Sequence, residues 1–424
     1  MTPPLRPILR QTLLVLVCVG FLSIYLLRVV RIYLAQRSAY TAGIETQVGE
    51  QLKETERAIQ LVPDNAEFHH VLGVQISAAG QDDNRAIASL LEAVRLNPNS
   101  GQYWLDLATV YQATGNVEKQ NEAVRAATRA EPGNPEVAEE AAQYFLVVGD
   151  ADEAFPLFRQ SLAQNPEAAK FILPVCWRQG HDANLILSRV IPDSPELQLS
   201  FLSLLTAQEE TAAAKQVWQY LVASHRPFTP QLSFFYFDYL LHEHDVAGFD
   251  RAWRELAGLS PNLQAYLPND NLIVNGGFER QLLNSGFDWR HAPADHVIAE
   301  IDDRVEHSGN RSLSLSYDGA PAYEAGWAQY VPVQSNTDYK FSAWIKSENV
   351  TSASGPRIAL VDAFSGTNLL LTDDVLDTHP WQETTGTLRV PAGTELIAVK
   401  ITRAPADTRI RGRVWIDDLR LEKR

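Results

Sequence analysis

The chain has 424 residues, which is more than one ordinary domain holds. Hydrophobic residues make up 45% of it and charged residues 21%, a composition that excludes wholesale disorder. The formal net charge of −16 argues against a broad basic surface, so no nucleic-acid partner is predicted. The two cysteines, Cys18 and Cys176, do not identify a redox compartment.

The amino-terminal segment is apolar. Thr12 to Val30 contains a single charge, Arg28, and a helix of this length spans about 28 Å, close to the thickness of the hydrocarbon core of a membrane. We predict an uncleaved membrane anchor over residues 1–37, with Arg28 and Arg31 reaching towards the membrane surface. The alternative is a cleaved signal peptide, whose apolar core is usually shorter. Arginines on both sides leave the orientation undecided.

A repeat follows, marked by prolines at regular spacing. The intervals between them are 35, 34 and 34 residues, and they lie at Pro63, Pro98, Pro132 and Pro166. Residues 101–134 contain the frame most fully, with Trp104, Leu107, Tyr111 and Gly115. This pattern resembles the tetratricopeptide repeat family, which implies stacked pairs of helices. Glycines at 80, 115 and 149 suit the left-handed turn that ends each first helix.

The repeats are predicted to extend into an α-solenoid over residues 38–262, with about six helical pairs. A solenoid presents a long concave surface that commonly holds a protein segment, and we predict a protein partner there. The predicted groove residues are polar or acidic: His70, Gln102, Thr109, Gln112, Glu139 and Gln143. For each of them, an ordinary solvated helix face is the alternative.

The pattern changes at "NLIVNGGFER", Asn271 to Arg280. Prolines and an Asn-Asp-Asn cluster precede it, so residues 263–270 are predicted to be a linker. Alternation with period two follows, as in "DYKFSAWIK", and indicates half-buried strands. About nine such runs without intervening helices predict an antiparallel β-sandwich over residues 271–424, with Asn271 beginning its first strand.

The sandwich sequence resembles the jelly-roll carbohydrate-binding modules of families 4, 9 and 22. The motifs that carry this resemblance are "NLIVNGGFE", "HSGNRSLSLSY", "AQYVPVQSNTDYKFSAWIKSE" and "VWIDDLRLE". The resemblance implies a lectin-like, galactose-binding-like fold that binds a polysaccharide. The complete predicted fold class is therefore a transmembrane helix, an α-solenoid and a carboxy-terminal jelly roll.

Sugar recognition needs an aromatic platform and a few polar groups. Trp344 is the first candidate because it alternates with Phe341 and Ile345 and lies among Lys and Ser residues. Further candidates near strand ends are Tyr323, Trp327 and Trp381. A core position is the alternative for those three residues, and a structural role is the alternative for Trp344.

The same resemblance implies a structural calcium ion near the chain ends. The positions that match its acidic ligands are Glu279 in "NGGFE" and Asp417 in "IDDL". Carboxylate oxygens suit calcium, but two carboxylates on one protein are also common without an ion.

No catalytic motif stands out in the sequence, and the adjacent acidic pairs do not face one another across a cleft, so we predict a protein that is not an enzyme. The domain combination suggests a scaffold in cell-envelope or exopolysaccharide assembly. It would be held by a single span in the inner membrane, with its bulk in the periplasm. The alternative is a protein–protein scaffold whose sandwich is structural or binds a polypeptide.

Overall fold

The computed structural model describes residues 5–80 and 82–424, with side chains from residue 12 onward. Within these residues the chain forms fourteen α-helices followed by ten β-strands, which confirms the predicted fold class. The chain divides into two compact units, Met1–Pro192 and Asp193–Arg424. The second unit contains the last four helices together with the whole sandwich.

The helices occur as consecutive pairs. Their bounds are Leu5–Ile44 (α1), Val48–Leu61 (α2), Ala66–Ala79 (α3), Asp83–Leu96 (α4), Gly101–Ala113 (α5), Val117–Ala130 (α6), Pro135–Val147 (α7), Ala151–Gln164 (α8), Ala169–Gly180 (α9), Ala183–Arg189 (α10), Pro195–Ala207 (α11), Thr211–Ala223 (α12), Phe234–His242 (α13) and Val246–Leu259 (α14). Each proline that marks the repeat lies two residues after the end of a second helix.

Local sequence explains where the helices of the repeats begin and end. The side chain of Asn116 accepts a hydrogen bond from the backbone N–H of Lys119 and so caps α6. At the preceding turn, Gly115 has φ +71, a conformation in which a side chain would be strained. Between paired helices, a Cβ on Gly73 would lie 2.6 Å from Leu90, so only glycine allows α3 and α4 to approach this closely.

The first helix is longer than the predicted anchor. It continues without a break to Ile44, and its last turns bury Ala35 and Ala42, so the predicted boundary at residue 37 falls inside one helix. Thr12–Ile44 is long and apolar enough to cross a membrane, and the apolar window within it is exposed. A signal sequence would show the same length and composition.

The segment predicted as a linker, residues 263–270, is packed rather than free. Leu263 and Tyr266 are buried in a short 3₁₀ segment that directly follows α14. The indole N–H of Trp253 donates to the carbonyl of Tyr266 at 3.1 Å, and the Tyr266 hydroxyl donates to the carbonyl of Gln281 at 2.7 Å. Buried aromatic contacts therefore tie this connecting segment to the last helix and to the sandwich, and its role as a linker stays a prediction.

The sandwich consists of two five-stranded sheets in which all neighbouring strands are antiparallel. We name them sheet A, in the order β1-β4-β9-β6-β7, and sheet B, in the order β2-β3-β10-β5-β8. The strands run Arg290–His291 (β1), Val297–Asp302 (β2), Ser312–Pro321 (β3), Glu324–Pro332 (β4), Asp338–Ser352 (β5), Pro356–Asp362 (β6), Asn368–Leu371 (β7), Asp377–Arg389 (β8), Leu396–Arg403 (β9) and Arg409–Lys423 (β10).

Residues 271–289 contain no strand, so the prediction that Asn271 begins one was wrong. The segment instead lies against the end of β10. The Asn271 side chain donates to the carbonyl of Leu419 and accepts from the N–H of Leu421, both at about 3 Å. Farther along, Trp289 is fully buried in the sandwich core. The apolar residues of the opening motif therefore fill the core without joining a sheet.

Candidate functional site

The outer surface of sheet A contains two buried alanines. Alternation along β9 sends Ile397 and Val399 into the core and Ala398 outward. Ala398 pairs with Val361 and Tyr330, and Ala359 pairs with Lys400 in the next outward row. Although they point away from the core, Ala359 and Ala398 are only 2% and 1% exposed. Neighbouring groups therefore cover both alanines, and we call this outer surface of sheet A the alanine face.

Arg290 and Tyr330 contact each other at the β1 side of the alanine face. The guanidinium of Arg290 lies 5.5 Å from the centre of the Tyr330 ring, within cation–π range. It also forms an ion pair of 2.5 Å with Asp238 of α13. The cation–π contact and the ion pair both involve the guanidinium of Arg290, so this side chain joins the sheet to α13.

The opposite end of the alanine face is polar and open. Glu324 and Arg357 pair with Thr402 from either side in this row. Lys400 lies 4.0 Å from Glu324, and Arg357 lies 3.5 Å from Asp374, so each cation has an acidic neighbour. Tyr323, one of the predicted sugar-binding residues, directly precedes β4 at this end and is 70% exposed. Paired charges and an exposed aromatic ring suit a ligand rich in hydroxyl groups.

Trp344 and Trp381, two further predicted sugar-binding residues, meet on the outer surface of sheet B. His307 lies between them, stacked on Trp344 with ring centroids 3.8 Å apart and meeting Trp381 edge-on at 5.7 Å. The His307 ring also contacts the carboxylate of Asp418 at 2.7 Å. One face of the Trp344 indole is therefore covered by a protein ring, which favours a structural role for this tryptophan.

Trp327 belongs to the core, so its candidacy as a sugar platform was wrong. It is 3% exposed and packs against Phe278 and Trp289, with ring centroids 5.8 and 6.3 Å away. Its neighbours on the inner side of β4 are Ala325 and Val331, which are also buried. The alternation along β4 turns this tryptophan inward.

Glu279 and Asp417, the predicted calcium ligands, hold the loop at residues 307–311 by hydrogen bonds. Glu279 Oε1 accepts the backbone N–H of Asn310 and of Arg311, at 2.7 and 3.0 Å. Asp417 is fully buried and accepts the N–H of His307 at 2.9 Å. Burial raises the pKa of Asp417, although these amide donors oppose the shift.

Further N–H groups occupy the remaining Asp417 positions, at Ser308 and Asp418. Across the described residues, no group of three or more His, Cys, Asp or Glu side chains comes together to hold a metal. The side chains alone thus do not fit a calcium site, because N–H donors already take the acceptor positions that a cation would need. The calcium ion stays a prediction.

The predicted groove residues of the solenoid lie on the first helices of successive pairs. His70 belongs to α3, three of the others to α5 and two to α7. The exposed members are Gln102, Thr109, Gln112 and Gln143. His70 and Glu139 are half-buried, and Glu139 accepts a hydrogen bond from Gln143 at 3.1 Å. Their binding role stays a prediction.

Sequence reasoning missed a polar network around His70. Its Nε2 lies 2.6 Å from the carboxylate of Asp106, and its ring stacks on Tyr103 at 4.3 Å. The Tyr103 hydroxyl donates to Glu67 at 2.6 Å, and burial together with this bond raises the pKa of Tyr103. Burial, followed by repulsion from Asp106, raises the pKa of Glu140 on α7. The sequence signal that could have revealed this network is the 36-residue separation of His70 and Asp106, because it is close to the length of one repeat.

Comparison with known proteins supports the assignment of the sandwich. Residues 270–408 match the family described as a carbohydrate binding domain, which confirms the predicted resemblance for this part of the chain. The matched residues include every strand of sheet A. No curated protein matches the chain.

Three similar solved structures cover different parts of the chain. One, described as "CBM4 structure and function", is 16% identical and covers 36% of this chain and 99% of its own, with a TM-score of 0.28. A crystal structure of MamA is 21% identical and covers 33% of this chain and 79% of its own, with a TM-score of 0.28. The pilF protein of Pseudomonas aeruginosa is 15% identical and covers 55% of this chain and 92% of its own, with a TM-score of 0.29. Similarities this distant say nothing about ligands or partners.

Proposed function

We propose that this protein is a non-catalytic, membrane-anchored adaptor whose sandwich binds a polysaccharide at the polar end of the alanine face, next to Tyr323. The observation that carries the proposal is the exposed ring of Tyr323 beside the ion pairs of Lys400 with Glu324 and of Arg357 with Asp374. An exposed aromatic ring can stack on the apolar face of a sugar, and the charged side chains beside it offer donors and acceptors to the sugar hydroxyl groups. The match of these strands to a carbohydrate binding domain supports the same ligand class.

The rest of the chain suits the role of an adaptor. The exposed apolar part of α1 would hold the protein in the inner membrane, and a polysaccharide ligand suggests that the bulk lies in the periplasm, in envelope or exopolysaccharide assembly. The helical pairs would hold a protein partner along α3, α5 and α7. Carboxylates at Glu67, Asp106 and Glu140 make this surface acidic, so a basic segment is the complementary partner.

The test is glycan-array binding by the full chain in detergent, with variants on each sheet. Ala328→Trp adds a bulky side chain beside Lys400 on the alanine face, and Thr385→Trp adds the same side chain to an exposed position on β8 of sheet B. We expect the first variant to lose at least tenfold in affinity and the second to bind as the wild type does. Tyr323→Ala should weaken binding by about 1–2 kcal/mol if its exposed ring stacks on the sugar.

Loss of binding in Thr385→Trp or Trp344→Ala, with Ala328→Trp unaffected, would move the site to sheet B. No binding to any glycan by the folded chain would contradict the proposal. The acidic network around His70 would then favour the second candidate function, a protein–protein scaffold with a structural sandwich. Retention on a column bearing a lysine-rich peptide, lost in a Glu67→Gln and Asp106→Asn double variant, would support that function.

A further inference from the structure

A groove of about 960 Å³ lies between α1 and the turn that joins α2 to α3, and we call it the α1 groove. One wall consists of α1 residues that recur at intervals of three or four and so share one face of the helix: Ile24, Leu27, Arg28, Arg31, Ile32 and Gln36. Residues 61–66 and Phe68 form the other wall. The groove follows α1 for about 18 Å, because each residue of a helix adds about 1.5 Å.

Packing between three helices fixes the two walls. Ala35 of α1, Ala58 of α2 and Phe68 of α3 belong to one buried cluster just beyond the groove. The turn is held by the side chain of Asn65, which accepts a hydrogen bond from the N–H of Glu67 at 3.0 Å and caps α3. The α1 groove is therefore a formed site whose shape does not depend on a ligand.

The α1 groove crosses the end of the apolar segment of α1. Ile24 and Leu27 lie inside this segment, and each is 65% exposed. Arg28 and Arg31 lie at its end, and Gln36 lies beyond it. In a membrane, the end of an apolar helix segment lies at the level of the lipid headgroups. One half of the groove therefore faces the acyl chains, and the other half faces headgroups and water.

The headgroup half of the α1 groove is positively charged. No Asp or Glu precedes Glu45 in the sequence, and within the described part of the chain neither Arg28 nor Arg31 forms an ion pair. One carboxylate, Asp64, lines the opposite wall, so the groove carries one positive charge in excess. A lipid phosphodiester carries one negative charge, and guanidinium groups bind phosphate oxygens in pairs.

Building on the membrane anchoring in the proposed function, we infer that the α1 groove binds an acidic phospholipid of the membrane that α1 enters. The phosphate lies between Arg28 and Arg31, and an acyl chain runs along Ile24 and Leu27. A water-soluble partner fits poorly, because half of the groove lies at the depth of the acyl chains. A zwitterionic lipid binds less tightly, because the two arginines repel the cation of its headgroup. The bound lipid would hold the first helices of the solenoid against the membrane surface.

The test is lipid binding by the full chain in dodecyl maltoside, measured by microscale thermophoresis. The probes are phosphatidylglycerol and phosphatidylcholine with identical acyl chains. We expect phosphatidylglycerol to bind about tenfold more tightly, and Arg28→Gln and Arg31→Gln each to weaken its binding about fivefold. The matched control is Arg37→Gln, because Arg37 is exposed on α1 outside the groove and should leave binding unchanged. Equal losses in all three variants would overturn the site.

Ala66→Trp separates a formed groove from diffuse electrostatic attraction. Ala66 lines the wall at the start of α3, so the indole narrows the groove and leaves every charge in place. We expect this variant to lose about fivefold in affinity for phosphatidylglycerol. Wild-type binding by the folded variant would overturn the inference. Circular dichroism checks the fold, and Val62→Trp on the same wall replaces the variant if its helices are lost.

Two further measurements identify the source of a failure. Displacement of phosphatidylglycerol by millimolar inorganic phosphate, at constant ionic strength, would assign the groove to a free anion and overturn the lipid. Carbonate extraction of the full chain from phosphatidylcholine vesicles tests the anchor by itself. Release from these vesicles would contradict the membrane anchoring of the proposed function. Firm anchoring with equal affinity for the two lipids would contradict only the lipid site.

Discussion

The indole of Trp253 lies directly against Gly286. A Cβ built on Gly286 would lie 2.3 Å from the Cη2 atom of Trp253, closer than atoms can pack. Trp253 belongs to α14 and Gly286 to the segment that precedes β1, so this contact joins helix and sandwich. Gly286 also has φ +60, in the left-handed region that favours glycine.

This contact predicts that Gly286→Ala is strongly destabilising. The control is Gly366→Ala, because Gly366 has φ +71 and nothing within 4 Å of its added Cβ. Both variants have the backbone strain, but only Gly286→Ala also forces its new methyl group against Trp253. We therefore expect Gly286→Ala to lose about 2 kcal/mol more free energy of unfolding in urea than Gly366→Ala does. Equal losses in the two variants would show that Trp253 moves aside freely.

Arg403 is a second position at which we expect substitution to destabilise the fold. It is 4% exposed and donates to the carbonyls of Ala322, Ser354 and Thr408, at 2.8, 3.1 and 3.0 Å. A lysine ammonium cannot reach all three, so we expect Arg403→Lys to lower the free energy of unfolding by about 3 kcal/mol. Arg411→Lys, at an exposed position on β10, should cost almost nothing. A similar small loss in both would contradict the structural role.

Trp344 predicts an effect on stability rather than on glycan binding. Because its indole stacks on His307, Trp344→Ala should loosen the 307–311 loop and cost about 2 kcal/mol of unfolding free energy. Glycan affinity should stay within about twofold, a change below 0.5 kcal/mol. Paired urea unfolding and array titration measure both quantities. Lost affinity at unchanged stability would restore Trp344 as the sugar platform.

Asp288 predicts a pH dependence. It is fully buried, and burial raises its pKa from 3.8 to about 6. Between these values the folded state holds a proton that the unfolded state releases, so stability falls as pH rises from about 4 to about 6 and is level above. The contribution reaches about 3 kcal/mol. Asp288→Asn lacks this titrating group. The free energy of unfolding of the wild type relative to this variant should therefore decline as the pH rises from about 4 to about 6. A difference that is constant with pH would contradict the prediction.

The calcium prediction is tested by chelation. Because N–H donors already bond Glu279 Oε1 and both carboxylate oxygens of Asp417, we expect the melting temperature in calcium and in EGTA to agree within about 1 °C. Magnesium chloride controls for ionic strength. A melting temperature that rises with calcium concentration, and falls with Glu279→Gln, would establish the site that the resemblance implies.

The periodic elements could be predicted from sequence because their signals are local. The 34-residue spacing of the prolines and the left-handed glycines locate α3 to α8, since capping and turn formation involve residues only a few positions apart. Alternation located β5 and β9 for the same reason, as a strand repeats every two residues. These signals sufficed to predict an α-helical repeat followed by an antiparallel sandwich.

Tertiary structure alone decided which aromatic rings are covered and which parts of sheet A the helices contact. Trp327 and Trp344 both occur in alternating strands, yet one packs on Trp289 and the other beneath His307. His244 reaches Phe364 across 120 residues of chain. Such contacts depend on how whole elements pack, and no local pattern encodes them. The sequence by itself therefore determined the kinds of domain and their order, whereas the shape of the candidate site arises from helices and sheets meeting in three dimensions.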